Sequence, residues 1–223
     1  MLQVVIVAGG KGLRMESEVP KQFLLLAGKP LLMHSIVAFR RYDPQVPVTV
    51  VLPDDEIDNW QSLCREYHFR ESHDIVSGGE TRFHSVQNGL ENVDGEGLVA
   101  IHDGVRPLVQ VSMITQLVAE AAAFSNAVPA ISPGDSLRWA DDQGNRVLDR
   151  SCVKIIQTPQ IFDLRKLKLA YVQDYDPSFT DDATVWERAG NPVHLSLGSK
   201  SNIKITQPVD LPMAQALYSL SSS

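Results

Sequence analysis

Cysteine is scarce. Cys64 and Cys152 are the two in 223 residues. They lie far apart with no Cys-x-x-Cys pair, which excludes a disulfide scaffold and a thiolate zinc site. Two reduced, buried thiols in a cytosolic protein are the expectation. Positive charge is also short, with a net charge of −7, which argues against a nucleic-acid partner. No apolar run approaches the roughly 20 residues of a membrane span. The N-terminus reads as a strand, not as a charged region followed by an apolar signal core. No membrane partner is therefore expected, and the cytoplasm is the expected location. Internal repeats are missing, and low complexity is confined to the Ser221-Ser222-Ser223 tail. His34, His68, His73, His84 and His194 show no metal-cluster spacing and are assigned structural roles, while His102 is read as orienting its loop. What remains is ample core material: 43% of residues are apolar, which suits one α/β domain over residues 1–223.

The stretch Gln3–Gln22, QVVIVAGGKGLRMESEVPKQ, organises the rest. Val4-Val5-Ile6-Val7 is a continuous β-branched run that needs burial on both faces, as an interior parallel strand does. Ala8-Gly9-Gly10 then leaves almost no side-chain bulk, so a ligand can approach the backbone. Lys11, Arg14 and Lys21 follow, and Pro20 fixes where Lys21 projects. Such a turn is built to hold phosphate oxygens. The competing reading is a Gly-rich surface turn with solvated charges. No Gly-Lys-Ser/Thr closes a P-loop here. Gly10 and Gly12 open a dinucleotide fingerprint, but Met15 stands in place of its third glycine.

Further along, helical spacing predicts helices over Pro30–Tyr42, Ile57–Tyr67 (with Trp60, Leu63 and Cys64 inward), Arg82–Leu90, Val111–Phe124, Asp163–Val172, Thr180–Ala189 and Asp210–Leu220. Strands are expected over Val46–Leu52, Asp74–Ser77, Gly97–His102 and Ala127–Ile131, with Val193–Leu197 and Lys204 strand-like. Alternating strands and helices predict a Rossmann-like, mostly parallel sheet with helices on both faces. The rhythm breaks after Ile131. Residues 135–157 read as a hairpin around the turn Asp141–Asn145, with Trp139 and Val147 short of core. A lone two-stranded ribbon is marginal, so this one should pack on another surface, such as a second subunit. Val153–Gln157 should re-enter the sheet, and Thr158-Pro159-Gln160 should turn.

Ligands of open α/β sheets sit at the carboxyl ends of the strands, and the residues leaving those ends are polar. Asp103, after an apolar strand, is placed either to hold a divalent metal such as Mg²⁺ beside nucleotide phosphates or to cap a turn. Arg106 is read as a phosphate contact. Gly78-Gly79 gives a second close-approach backbone or a tight turn. Ser85, on the next helix, can aim a hydroxyl at a base or phosphate. Lys204 and Arg150, each alone a surface charge, together with Thr180-Asp181-Asp182 could line a pocket for a second, phosphorylated substrate.

These segments resemble the 2-C-methyl-D-erythritol 4-phosphate cytidylyltransferase family. The matching pieces are Ala8 to Met15, Pro20-Lys21-Gln22, Gly78-Gly79-Glu80-Thr81-Arg82 with Ser85, and His102-Asp103-Gly104-Val105-Arg106-Pro107. Thr158-Pro159-Gln160, Thr180-Asp181-Asp182 and Asn202-Ile203-Lys204-Ile205-Thr206 follow in order. The resemblance implies CTP in a seat of Ala8, Gly9, Gly10, Gly12, Gly79, Glu80, Ser85, Asp103 and Gly104, with Gly79 near the cytosine. It implies Arg14, Lys21 and Lys204 as catalytic residues, the first two bracing the α-phosphate with Mg²⁺, and Asp103 as serving the metal and the ribose side. A polyol phosphate would meet Asp103, Arg106, Ser136, Arg150, Thr158, Thr180 and Lys204. In the family the hairpin arm embraces the partner subunit, so residues 135–152 would embrace a second copy here and Arg150 would act across a homodimer interface. Ser136 stands where the family often has Thr, and Gly104-Val105 where alanines are commoner. Ribitol 5-phosphate as the acceptor, or a non-catalytic nucleotide-binding protein, are the rival expectations.

Overall fold

Alternation along the strands decides which side of the sheet each helix covers. The computed structural model describes residues 1–9 and 19–221. In chain order these form β1 (Leu2–Val7), β2 (Leu25–Leu26), β3 (Lys29–Pro30), α1 (Leu31–Tyr42), β4 (Val48–Leu52), α2 (Ile57–Glu66), β5 (Asp74–Ser77) and α3 (Arg82–Glu91). Next come β6 (Leu98–Asp103), α4 (Val111–Phe124), β7 (Asn126–Ile131), β8 (Leu137–Asp141), β9 (Gly144–Leu148) and β10 (Ile155–Ile156). The chain closes with β11 (Gln160–Asp163), α5 (Leu164–Ala170), α6 (Asp182–Arg188), β12 (Leu195–Leu197) and α7 (Asp210–Ser221).

The main sheet has the order β10-β7-β11-β6-β1-β4-β5, and β12 also pairs β7. β1 runs parallel to β4 and β6, and β4 to β5. Val4, Ile6, Val50 and Ala100 point to one face and meet Leu32, Ile36 and Phe39 of α1, Trp60 of α2 and Leu117 of α4. Val5, Val51, Val99 and Ile101 point to the other and meet Phe83 and Val86 of α3, Leu167 of α5 and Trp186 of α6. Each fully buried Val, Leu or Ile contributes roughly 1.5–3 kcal/mol, so the two-sided burial of the β-branched runs holds the sheet. α7 closes a third cluster, where Ala214 packs with Leu26, Leu31, Val105 and Ile205.

The expected α/β architecture is present, with one notable departure. Thr158-Pro159 does turn, through a cis peptide bond, but Gln160 already belongs to β11. This strand runs antiparallel between β6 and β7, pairing Ile161 with Ala100 and Ala127. Four residues ending in Asp163 carry too little pattern to be told from a turn, and burial on both faces, by Ile161 and Phe162, makes them a strand. Asp163 then caps α5, its carboxylate accepting from Lys166 N. The hairpin connection is shorter than expected, since β8 runs through Asp141 and β9 begins at Gly144. Lys204 lies in no strand. Its segment is tied instead by Ile205 N donating to Val105 O at 3.0 Å. Both cysteines are free; Cys64 is half-buried, but Cys152 is exposed on the 3₁₀ turn Arg150–Cys152, which corrects the expectation of two buried thiols.

Candidate active site

From β1 the crossovers run outward to β4 and β5, then return to β6 on β1's other side, which opens a crevice at the carboxyl ends of β1 and β6. Two cavities occupy it. The larger, about 620 Å³, is lined by Ala8, Gly9, Lys21, Gly79, Glu80 and Ser85 among others. The smaller, about 320 Å³, is lined by Arg106, Thr158, Gln160, Thr180 and Asp181 among others. Arg82, Asp103 and Lys204 line both.

The wall of the larger cavity is set by the start of α3. Thr81 caps that helix, its Oγ1 accepting from His84 N at 3.4 Å. One turn on, Ser85 Oγ accepts from Gly79 N at 3.1 Å and donates to Thr81 O at 2.9 Å. The Ser85 hydroxyl thus holds the Gly78-Gly79 segment in place. A Cβ on Gly79 would come within 2.4 Å of His84 Cβ, so no other residue fits that close approach. Lys21 opens a 3₁₀ turn after Pro20, anchored by Phe23, whose ring stacks on Trp60 at 5.8 Å.

Where the cavities meet, one carboxylate faces three cations. Lys204 Nζ lies 3.0 Å and Arg106 Nε 3.2 Å from Asp103 Oδ2, and Arg82 Nε lies 3.8 Å from Oδ1. Burial alone would raise the Asp103 pKa, but Lys204, Arg82 and Arg106 together hold it well below the usual carboxylate range. Arg82 is also paired with Asp182, so Lys204 and Arg106 are left against the single Asp103 carboxylate, one positive charge that an anionic reactant can use.

A relay of hydrogen bonds fixes Asp103 and Arg106. Asp103 N donates to Thr158 Oγ1 at 3.0 Å, Thr158 Oγ1 lies 3.2 Å from His102 Nδ1, and His102 Nε2 lies 3.1 Å from Arg106 O. The chain is consistent when the threonine hydroxyl donates to a neutral imidazole and Nε2–H donates to the carbonyl. Burial keeps that ring neutral by lowering its pKa to about 4. Arg106 Nη1 donates to Asn202 O at 2.8 Å, and Asn202 Nδ2 to Thr158 O at 2.8 Å. On the far side, Arg82 donates twice to fully buried Asp182, at 3.0 and 2.6 Å, and Tyr171 Oη donates to the same carboxylate at 2.7 Å.

The expected site residues divide accordingly. Ala8, Gly9, Lys21, Gly79, Glu80, Ser85, Asp103 and Lys204 line the larger cavity. Asp103, Arg106, Thr158, Thr180 and Lys204 line the smaller. Gly104 lines neither; a Cβ there would meet Ala8 at 3.0 Å and Leu32 at 3.1 Å, so it serves the packing of β6 on β1 and α1. Ser136 and Arg150 are exposed by the hairpin, away from both cavities, with Arg150 Nη1 donating to Gly134 O at 2.9 Å. Gly10, Gly12 and Arg14, with Lys11 and Met15, lie outside the described residues. Arg82 was quoted in a motif without a role, and its partner Asp182 stands 100 residues away, a distance no local spacing reveals. Among the described residues no three His, Cys, Asp or Glu side chains group as a metal site.

Comparison with known proteins agrees with this arrangement. A family model described as 2-C-methyl-D-erythritol 4-phosphate cytidylyltransferase matches residues 2–219. A protein of that name from Bacteroides thetaiotaomicron is 49% identical over 214 residues, covering 96% of this chain and 98% of the relative. The solved 4-diphosphocytidyl-2C-methyl-D-erythritol synthase from Anaerococcus prevotii is similar at TM-score 0.81 and 26% identity, covering 98% of each chain. The cytidylyltransferase from Thermus thermophilus gives 0.76 and 30%, covering 96% of this chain and 97% of that one. With this geometry and these matches over nearly its whole length, the chain belongs to the 2-C-methyl-D-erythritol 4-phosphate cytidylyltransferase family and is a nucleotidyltransferase.

Proposed function

We propose that the chain joins CTP to 2-C-methyl-D-erythritol 4-phosphate. An oxygen of the polyol's phosphate bonds to the α-phosphorus of CTP. The bond from that phosphorus to its bridging oxygen breaks, and pyrophosphate leaves with the electron pair. No general base is needed, because the attacking oxygen is already ionised. The observation that carries this reading is the pair of cavities sharing Arg82, Asp103 and Lys204. Two anionic reactants need adjoining seats and a cationic meeting point.

In this reading the larger cavity takes CTP, with Gly79 and Ser85 beside the cytosine. Lys21 and Arg14 brace the α-phosphate as charge develops on it, and in-line placement supplies much of the rate. The smaller cavity takes the polyol phosphate through Arg106, Thr158, Thr180 and Lys204. Arg150 and Ser136 reach it from a second copy, which the arm 135–152 embraces. Residues 1–223 then act as one domain with that arm inserted.

Asp103 lines both cavities, and the described residues include no ready-made ligand cluster. Asp103 would hold a magnesium ion delivered with the triphosphate, in exchange for its 3.0 Å contact with Lys204. When bound, that ion supplies charge neutralisation on the phosphates. Free Cys64 and Cys152 support a reducing compartment, the cytoplasm. Among the described residues no helix is long and apolar enough to cross a membrane.

The test is coupled pyrophosphate release from CTP with either polyol phosphate. Release with methylerythritol phosphate is expected. Release with ribitol 5-phosphate in its place would reassign the acceptor, and CTP binding without any release would make the protein a non-catalytic nucleotide binder.

A further inference from the structure

Gln22 is 1% exposed and follows Lys21 directly on the turn that lines the larger cavity. Phe23 N donates to Pro20 O at 2.8 Å, and the Phe23 ring stacks on Trp60. Yet Gln22 Nε2 and Oε1 are both shut off from solvent without a hydrogen-bond partner. A leucine of similar shape would fill the place without that penalty. The other orphaned atoms among the described residues, Arg40 Nε and Asn202 Oδ1, line neither cavity.

We propose that Gln22 is a nucleotide-binding residue whose carboxamide is paired by the ribose hydroxyls when CTP occupies the larger cavity. This rests on the reading of that cavity as the nucleotide seat. The choice of group follows from donor and acceptor chemistry. A carboxamide presents two donors and an acceptor side by side. Phosphate oxygens only accept and would leave Oε1 orphaned, whereas ribose hydroxyls both donate and accept. The cytosine edge also does both, but the base is assigned to Gly79 and Ser85 at the start of α3. That helix covers the opposite face of the sheet from the one where Phe23 packs. Lys21, next in sequence, is assigned to the phosphates. The ribose lies between base and phosphates, and Gln22 lines that cavity together with Asp103, which the family resemblance places on the ribose side.

The experiment is calorimetric titration of wild type and Gln22→Leu with CTP and with 2′,3′-dideoxy-CTP, alongside melting of the nucleotide-free proteins. The expected result is that Gln22→Leu weakens CTP about tenfold, the loss of one hydrogen-bonded contact. Dideoxy-CTP should bind both proteins alike, and the variant should melt no lower than wild type. Unchanged CTP affinity overturns the proposal. So does an equal loss for both nucleotides, which marks a structural effect, or a lower melting point, which means the amide is already paired. Should the leucine variant not fold, Gln22→Asn keeps the chemistry but shortens the reach, and its two affinities are read in the same way. Wild-type protein that binds CTP but releases no pyrophosphate overturns the reaction and leaves the Gln22 test standing.

Discussion

Lys204 Nζ sits 3.0 Å from Asp103 Oδ2 and lines both cavities, so it is positioned by the carboxylate rather than left to wander. Removing one preorganised charge contact costs about 10²-fold in rate or more. Lys204→Ala and Lys21→Ala are each expected to lower turnover by about that factor, with Lys204→Ala raising KM for the polyol phosphate more than for CTP. Steady-state pyrophosphate release measures both, and near wild-type turnover would remove the residue from the chemistry. A second residue-scale expectation concerns acid. Trp60 Nε1 donates to His73 Nε2 at 3.0 Å, and His73 Nδ1 lies 2.7 Å from Glu71 O, which suits a neutral ring. Burial lowers the His73 pKa. The unfolded chain therefore takes up the proton first as pH falls through about 6.5, and stability present at neutral pH is lost toward acid. His34, also lowered by burial, acts in the same direction. In His73→Gln an amide oxygen still accepts from Trp60 but cannot titrate. The drop in urea midpoint between pH 7 and pH 5 should shrink in that variant, and an unchanged drop would absolve His73.

Between elements, the tie that matters most is Arg82 of α3 to Asp182 of α6. It joins the side of the crevice that carries Gly79 to the side that carries Thr180. Breaking a buried pair leaves one charge uncompensated and costs roughly 3–5 kcal/mol, whereas replacing both partners with apolar residues can be near neutral. Asp182→Leu is therefore expected to lose stability on that scale in urea unfolding, and Arg82→Met with Asp182→Leu to recover much of it. If the double variant were as unstable as the single, charge burial would not be the cause. Elements with a long periodic pattern were plain from sequence. The Ala-rich run Val111–Phe124 has the bounds of α4, and Asp74–Ser77 those of β5. β11 was hidden because QIFD sits between the Thr158-Pro159 turn and Asp163, which caps α5 at once, so no turn signal marks its end as Gly78-Gly79 marks that of β5. Its identity comes from pairing with β6 and β7, which lie far off in sequence. The site divides in the same way. Strand-end residues such as Asp103, Gly79 and Lys21 announce themselves by following a strand or a glycine turn. Arg82–Asp182, the His102–Thr158 relay and the orphaned Gln22 exist through contacts spanning the chain.

For the whole molecule, partnership centres on the β8–β9 hairpin. It forms a two-stranded sheet of its own, with Trp139 52% and Val147 74% exposed. Ribbons of two strands need a surface to lie on, and a second copy of the chain is the proposed one. Replacing Trp139 and Val147 with Asp should shift sedimentation toward monomer and reduce turnover, since Arg150 would no longer be delivered. A wild-type monomer that is fully active would refute that arrangement. The inserted position of β11 also bears on how the protein is born. β6 and β7 both leave the ribosome before the strand that belongs between them, and neither can pair with the other in the finished order. Until residue 163 has emerged, the nascent chain carries two apolar strand margins with nothing to bond, the kind of edge that recruits neighbouring chains into aggregates. Synthesis that stalls in the stretch between residues 131 and 160 is thus where this enzyme is most exposed to loss, and where a holding chaperone would do the most good.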